Sequence, residues 1–114
     1  MTGGIEGILI ETHNWGRTVA FWKALGYELE FETDHHSGQL RHPKGGPYLF
    51  IAEVPKDQQP DLRLVLRAPD PDAFEAGDVV EVVTPFEDTH FGTTEATVRD
   101  PDGRLWSLQA PAKG

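Results

Sequence analysis

Hydrophobic and polar residues alternate along several short segments of the chain, and this two-residue period predicts β-strands. In the first such segment, 5–12, Ile8 and Ile10 share one face while Leu9 and Glu11 share the other. The same pattern, bounded by turns rich in Gly, Pro and Asp, predicts further strands at 27–33, 39–42, 48–54, 61–68, 79–84, 93–99 and 105–108.

Two segments depart from this alternation and predict helices. Asn14 is suited to cap the first helix and Gly26 to end it. Its apolar and small residues fall at helical spacing and predict a buried stripe formed by Thr18, Phe21, Trp22 and Leu25. The second helix, 72–76, is much shorter; it is capped by Asp70 and closed by Gly77.

The order strand, helix, three strands therefore occurs twice. A polar stretch at 56–60 reads as a linker, so the first module is expected at about 4–55 and the second at about 60–111, within a single domain of 114 residues. Glu87 and Asp88 are placed in a loop that continues through Thr89 and His90.

The hairpin between Gly92 and Leu108 is the most distinctive motif. Its turn, Asp100-Pro101-Asp102-Gly103, uses proline to preset φ and glycine to accept a positive φ. With the aromatic helix that ends in Leu25-Gly26-Tyr27, this hairpin resembles the glyoxalase/bleomycin resistance protein/dioxygenase superfamily, also called the vicinal oxygen chelate superfamily. The resemblance covers residues 5–110.

The resemblance implies an α+β fold. Two βαβββ modules would form a curved mixed sheet, with the helices outside and a cup that holds the ligand. In such proteins the loop that contains His90 commonly folds over the cup. The members include lyases, isomerases and dioxygenases as well as binding proteins, so the resemblance leaves open whether this chain is an enzyme.

Metal-dependent members of the superfamily take His, Glu or Gln ligands from the first strand of each module and from the late strands. The matching residues here are Gly7, Arg63 and Ser107. Glycine has no side chain, arginine is a fixed cation, and serine is a poor neutral ligand. Glu53 adds one carboxylate, which cannot close a transition-metal shell by itself. We therefore predict no metal and no other cofactor in this position, and no catalytic residue is assigned.

Strand parity and the family positions together predict the residues that contact a ligand. Tyr48 and Phe50 share a face, which leaves Leu49 and Ile51 to pack against the helix. Arg63 is expected to be the polar anchor of the cup. Parity places Leu62, Leu64 and Leu66 on the opposite face of that strand, toward the core, and places Trp106 in the core as well. The complete predicted set is Glu11, His42, Tyr48, Phe50, Arg63, His90, Glu95 and Ser107.

The composition narrows the choice of partners. A net charge of −9, from 10 basic and 19 acidic residues, argues against nucleic acid, whose binding depends on neutralising phosphates. The absence of Cys excludes disulfides and thiol catalysis. Apolar runs are far shorter than the roughly 20 residues needed to span a bilayer, so we expect no membrane association and a cytoplasmic location.

Three functional hypotheses follow. The first is a metal-free protein that binds a small molecule in the cup, as in the bleomycin-resistance branch. The second is a divalent-metal enzyme of the same superfamily, a lyase or dioxygenase with unusual ligands. The third is a dimeric interaction module with a collapsed cup. A homodimer is also expected, because two small modules bury limited apolar area and the short second helix leaves sheet surface to cover.

Overall fold

The computed structural model describes residues 2–89 and 92–111, and the chain divides into two compact units. The N-terminal unit is Gly7–Arg63, and the C-terminal unit comprises the remaining residues. In chain order the elements are β1 (Ile5–Thr12), α1 (Trp15–Ala24), β2 (Glu28–Glu32), β3 (Ser37–Arg41), β4 (Tyr48–Glu53), β5 (Leu62–Arg67), the 3₁₀ turn η1 (Pro71–Ala73), β6 (Glu81–Asp88), β7 (Thr93–Arg99) and β8 (Leu105–Pro111).

The two units repeat one strand arrangement. In the N-terminal unit the order is β2-β3-β4-β1, and in the C-terminal unit it is β6-β7-β8-β5. The last pair of each order is parallel, with Gly7 opposite Tyr48 in one unit and Val65 opposite Ser107 in the other. The remaining neighbours within each unit are antiparallel. The α+β class and its mixed strand pairing are therefore confirmed.

The core of the N-terminal unit lies between α1 and its strands. Asn14 caps the helix as predicted, because its side-chain oxygen accepts a hydrogen bond from the backbone N–H of Arg17 at 3.0 Å. The fully or nearly buried residues of this core are Trp15, Val19, Leu40, Leu49 and Ile51. Their burial supplies most of the stabilisation of α1, since a helix of ten residues is marginal in isolation.

The buried stripe of α1 differs from the predicted one. Trp15 and Val19 are buried and Trp22 packs against the same core, whereas Phe21 and Leu25 are 58% and 55% exposed. The spacing of Trp15, Val19 and Trp22 is also helical, so periodicity allowed both stripes. The contact of Trp15 with Gly38 favours the observed stripe. The ring packs over Gly38 so closely that a Cβ at position 38 would lie only 2.8 Å from the ring.

The C-terminal unit has a thinner cover. The predicted helix 72–76 is wrong in length: only one 3₁₀ turn forms, with Asp70 accepting from the backbone N–H of Asp72 at 3.1 Å. Phe74 already has an extended backbone, which ends the turn. The core beneath it consists mainly of small residues, namely Ala68, Ala96, Val98, Leu108 and Ala110.

The strand β6 also differs from the prediction, which ended it at Thr84 and placed Glu87 and Asp88 in a loop. Both acidic residues belong to the strand. Pro85 cannot donate a ladder hydrogen bond, but β6 lies at the end of its strand order and its pairing with β7 shifts register between Thr84 and Glu87. An edge position and an irregular register are the conditions under which a strand tolerates proline.

Candidate binding face

Tyr48 and Phe50 lie on the side of β4 that faces away from α1. Their neighbours Leu49 and Ile51 belong to the core beneath the helix, and side chains alternate along a strand. The parity prediction for these four residues is therefore confirmed. We call this side of the N-terminal unit the open face; on β1, β2 and β3 it includes Gly7, Leu9, Glu30, Phe31, Gln39 and Arg41.

Gly7 and Tyr48 form a close pair on the open face. They are register partners in the parallel β1–β4 pair, and the Tyr48 ring lies where a side chain on Gly7 would begin. Tyr48 is 8% exposed, and the Arg41 guanidinium lies over its ring at 5.8 Å from the centroid. Only glycine at position 7 leaves room for this ring.

Beside the aromatic rings, Glu30 forms a polar network that the sequence did not predict. Its Oε1 accepts from Gln39 Nε2 at 2.9 Å and from Arg41 Nε at 3.2 Å. The hydrogen bond from Gln39, with the hydrogen bond and positive charge of Arg41, holds the pKa of Glu30 below its ordinary value against the opposing effect of desolvation. The only available signal was the opposite charge of residues 30 and 41, which a hairpin could bring together.

Phe31 adds a second accessible ring to the open face. Its centroid lies 6.3 Å from that of Phe50, within the range of aromatic pairs, and its side chain is 45% exposed. The pairing of β2 with β3 shifts register between Leu29 and Phe31. This bulge is what turns Phe31 toward Gln39 and Phe50, and sequence alternation alone gives no sign of it.

Two other predicted ligand residues of this unit are engaged locally. The Oε1 of Glu11 accepts from the backbone N–H of Asp61 at 3.0 Å and from Gln58 Nε2 at 3.4 Å. The Nδ1 of His42 accepts from the backbone N–H of Lys44 at 3.1 Å, and its ring packs edge-on against Tyr27 at 5.3 Å. Because Tyr27 packs on the core beneath α1, the structure does not bring His42 together with Tyr48 and Phe50.

The remaining predicted residues lie on β5, β7 and β8 or outside the described chain. Ser107 is buried opposite Val65 and Thr97, on the other side of β8 from the core residue Leu108. Glu95 faces Gln109 across β7–β8 and accepts from its Nε2 at 3.3 Å. Arg63 is half-buried on β5. His90 lies outside the described residues.

One leucine of β5 departs from its predicted placement. Leu66 packs against the core of the C-terminal unit as expected, but Leu62 is 58% exposed. Leu62 is the first residue of β5. Trp106 is placed as predicted, against this core, and its Nε1 donates to Asp100 at 2.9 Å.

The donor set of the superfamily's metal enzymes does not fit these positions. The Tyr48 ring fills the space above Gly7, Arg63 carries a positive charge, and Ser107 is a neutral hydroxyl. Glu53, the remaining carboxylate, accepts from the backbone N–H of Trp15 at 2.8 Å and so caps α1. Across residues 2–89 and 92–111, no group of three or more His, Asp or Glu side chains is placed to hold a metal ion.

Comparison with known proteins gives matches at the level of structure only. No family model matches the sequence, and no curated protein matches it significantly. A glyoxalase/bleomycin resistance protein/dioxygenase superfamily member from Vibrio splendidus superimposes with a TM-score of 0.67 at 15% identity, covering 91% of this chain and 96% of that one.

Two longer proteins also superimpose well. A Mn(II)-bound glyoxalase from Novosphingobium aromaticivorans has a TM-score of 0.71 at 15% identity, over 99% of this chain and 40% of its own. BphC, a halotolerant catechol dioxygenase, has a TM-score of 0.69 at 17% identity, over 99% of this chain and 41% of its own.

In the described part of the chain, no helix has the length and apolar character needed to cross a membrane.

At the 15–17% identity of these three structures, the likeness establishes the fold and leaves the activity open. The chain has the fold of the glyoxalase/bleomycin resistance protein/dioxygenase superfamily.

Proposed function

We propose that this chain binds a small planar organic molecule against the open face, with no metal in the superfamily position. The observation that carries the proposal is the Tyr48 ring packed over Gly7, which puts an aromatic ring where the metal-dependent members project a ligand. The expected location is the cytoplasm and the expected assembly is a homodimer.

Accessible aromatic surface supports a planar ligand. Phe31 and Phe50 present two rings, and the Glu30–Gln39–Arg41 network beside them offers hydrogen bonds to a polar substituent. Pockets for small molecules combine such apolar surface with a few convergent polar groups. A planar ring stacked on these phenylalanines would gain about 0.5–1.5 kcal/mol per contact beyond its area burial.

The experiment is a thermal-shift screen of planar aromatic compounds, half of them cationic, on protein purified without a histidine tag. A binding compound raises the melting temperature by mass action. Phe31→Ala should weaken its affinity by roughly threefold to tenfold. Phe21→Ala removes a comparably exposed ring from α1 and is the matched control, with no expected loss.

Two results would overturn the proposal. One is stoichiometric zinc, nickel, manganese or iron in the purified protein that is required for binding. The other is a compound whose affinity is equal in the parent and in Phe31→Ala and Phe50→Ala.

Arg63 stays a predicted anchor. Arg63→Ala should weaken binding of a compound found in the screen, and Arg67→Ala, nearer the end of β5, should matter less. Equal affinities of both variants and the parent would place the anchor elsewhere.

A further inference from the structure

The outward side of α1 is apolar, although the opposite side of the helix already packs on the core. Five exposed residues of α1 and its C-cap recur at helical spacing and form what we call the outer stripe: Arg17, Ala20, Phe21, Ala24 and the C-cap residue Leu25. Phe21 and Leu25 are more than half exposed. The solvent side of an amphipathic helix is ordinarily polar, so a second apolar stripe indicates a surface for another molecule.

The charge of this helix is opposite to that of the protein. From Trp15 to Leu25 the chain has two basic residues, Arg17 and Lys23, and no acidic residue, while the whole protein carries −9. Both basic side chains belong to exposed residues. The outer stripe is therefore an apolar surface with a positive border, which suits an acidic partner with some apolar surface of its own.

The same chain carries a surface of that description in its C-terminal unit. The segment 70–79, which includes η1, has four acidic residues and no basic one. Val79, at the end of this segment, is 86% exposed, and Glu75 and Asp78 are exposed beside it. This acidic segment is also where the expected second helix is missing, so the cover of the unit is thin.

We propose that the outer stripe of one chain docks on the acidic segment of a second copy of the same chain, an interface that rests on the homodimer expected under the proposed function. Opposite charges and an exposed apolar residue on each side make the two surfaces complementary. Each chain carries both surfaces, so two copies offer this contact in either direction, with α1 of one chain on segment 70–79 of the other.

The size of the surfaces makes this dimer weak. Ten helical residues span about 15 Å, and stable specific interfaces bury about 1,200–2,000 Å² in total. Two contacts of one short helix each reach only the low end of that range. Because charge contributes, the association should weaken when salt shortens the Debye length to about 3 Å at 1 M.

Sedimentation velocity on the full chain tests the proposal at 10–100 µM, concentrations of the order expected for a weak dimer. The parent should dimerise in low salt and dissociate in 1 M salt. Phe21→Ser should be monomeric, while Phe31→Ser, which changes a comparably exposed ring on the open face, should dimerise like the parent. Far-UV circular dichroism confirms that each variant is folded.

Charge reversal identifies both partners. R17E/K23E and E75K/D78K should each be monomeric, and an equimolar mixture of the two should form a heterodimer, because each reversed surface then meets its opposite. The control K44E/K56E alters net charge as much as R17E/K23E does, at two exposed lysines outside both surfaces, and should dimerise like the parent.

Three results would overturn the proposal. A parent that is monomeric at 100 µM in low salt has no such interface. An E75K/D78K variant that dimerises like the parent would mean that α1 contacts something other than the acidic segment, such as α1 of the second copy. Failure of the mixture to associate would show that the two surfaces do not meet.

Discussion

The two units use the same strand order but differ in what covers their strands. The N-terminal unit has α1 and buries large side chains, Trp15, Leu40, Leu49 and Ile51, beneath it. The described part of the C-terminal unit has one 3₁₀ turn, and three of the five buried residues in the core cluster beneath it are alanines. The unit with the thicker cover therefore has the larger buried side chains, because a close-packed interior leaves no space for voids.

The difference also shows where each unit keeps its aromatic residues. In the N-terminal unit Trp15 is buried in the core, and Trp22 and Tyr27 pack around it half-buried. In the C-terminal unit Phe74, Phe86 and Trp106 are all half-buried, around a core of small residues. The rings of Phe74 and Phe86 meet edge-on at 6.0 Å and partly replace the missing helix. A module of this type therefore folds with a minimal outer layer if aromatic rings cover a core of small side chains.

Removing one aromatic residue from each cover should give the largest contrast. Trp15→Ala should lower the free energy of unfolding by about 3–5 kcal/mol, since it empties a buried site, and Phe74→Ala should cost less because that ring is half-exposed. Urea unfolding measures both. Equal losses of unfolding free energy in the two variants would mean that η1 stabilises its unit as much as α1 stabilises the other.

Adding a methyl group at Gly7 should have the next largest effect. A Cβ there overlaps the Tyr48 ring, so Gly7→Ala should cost about 1–3 kcal/mol through overpacking. Gly16→Ala is the matched control: its Cβ would meet only Asn14 at 3.9 Å, and alanine favours the helix. If Gly7→Ala unfolds at the same urea concentration as the parent, the ring is not held above Gly7.

The two caps should differ by a smaller amount. Asn14→Ala removes the cap of α1 and should cost about 1 kcal/mol. Asp70→Ala removes the corresponding bond of η1 and should cost less, because a single turn has fewer N–H groups to satisfy. A larger loss from Asp70→Ala in the same unfolding experiment would contradict this order.

Acid should reveal the smallest difference, at the hairpin turn of the C-terminal unit. Desolvation raises the pKa of Asp100, but hydrogen bonds from Trp106, Arg104 and Asp102 outweigh it and lower the pKa below its ordinary 3.8. The stability contributed by this carboxylate is therefore complete above that value and is lost as the pH falls through the folded pKa. Asp100→Asn should be less stable than the parent at pH 7 and should lose less further stability on acidification.

Glu30→Gln is the counterpart in the N-terminal unit, where Gln39 and Arg41 hold the glutamate pKa low. The stability that Glu30 contributes to the parent is likewise lost as the pH falls, and this loss should be smaller than the loss at Asp100, because Asp100 accepts more hydrogen bonds.

Parallel acid-unfolding curves for the parent and Asp100→Asn would show that the turn aspartate contributes nothing.

Local pattern was sufficient for much of the fold. The ends of β1 were predicted correctly because its alternation is bounded by Gly4 and by the Asn14 cap. Strand parity also placed Tyr48, Phe50 and Trp106 correctly. These features depend on side-chain alternation and capping residues, which are local properties of the sequence.

What the sequence did not reveal depends on register between strands. The Glu30 network and the orientation of Phe31 follow from a bulge between Leu29 and Phe31, and no turn residue marks it. The continuation of β6 past Pro85 likewise depends on its edge position. On α1, two stripes had helical spacing, and only the contact of Trp15 with Gly38 selects one. The ligand roles of the eight candidate residues stay predictions.

The Tyr48 ring above Gly7 has a consequence for how this sequence can change over evolution. A histidine or glutamate at position 7 would collide with the ring, so the first mutational step toward a liganding side chain lowers stability before it adds a function. A small residue at position 48 would have to come first, and it would leave a cavity in the meantime. A metal ligand at position 7 therefore requires substitutions at both positions, and a single substitution does not lead from this chain to one.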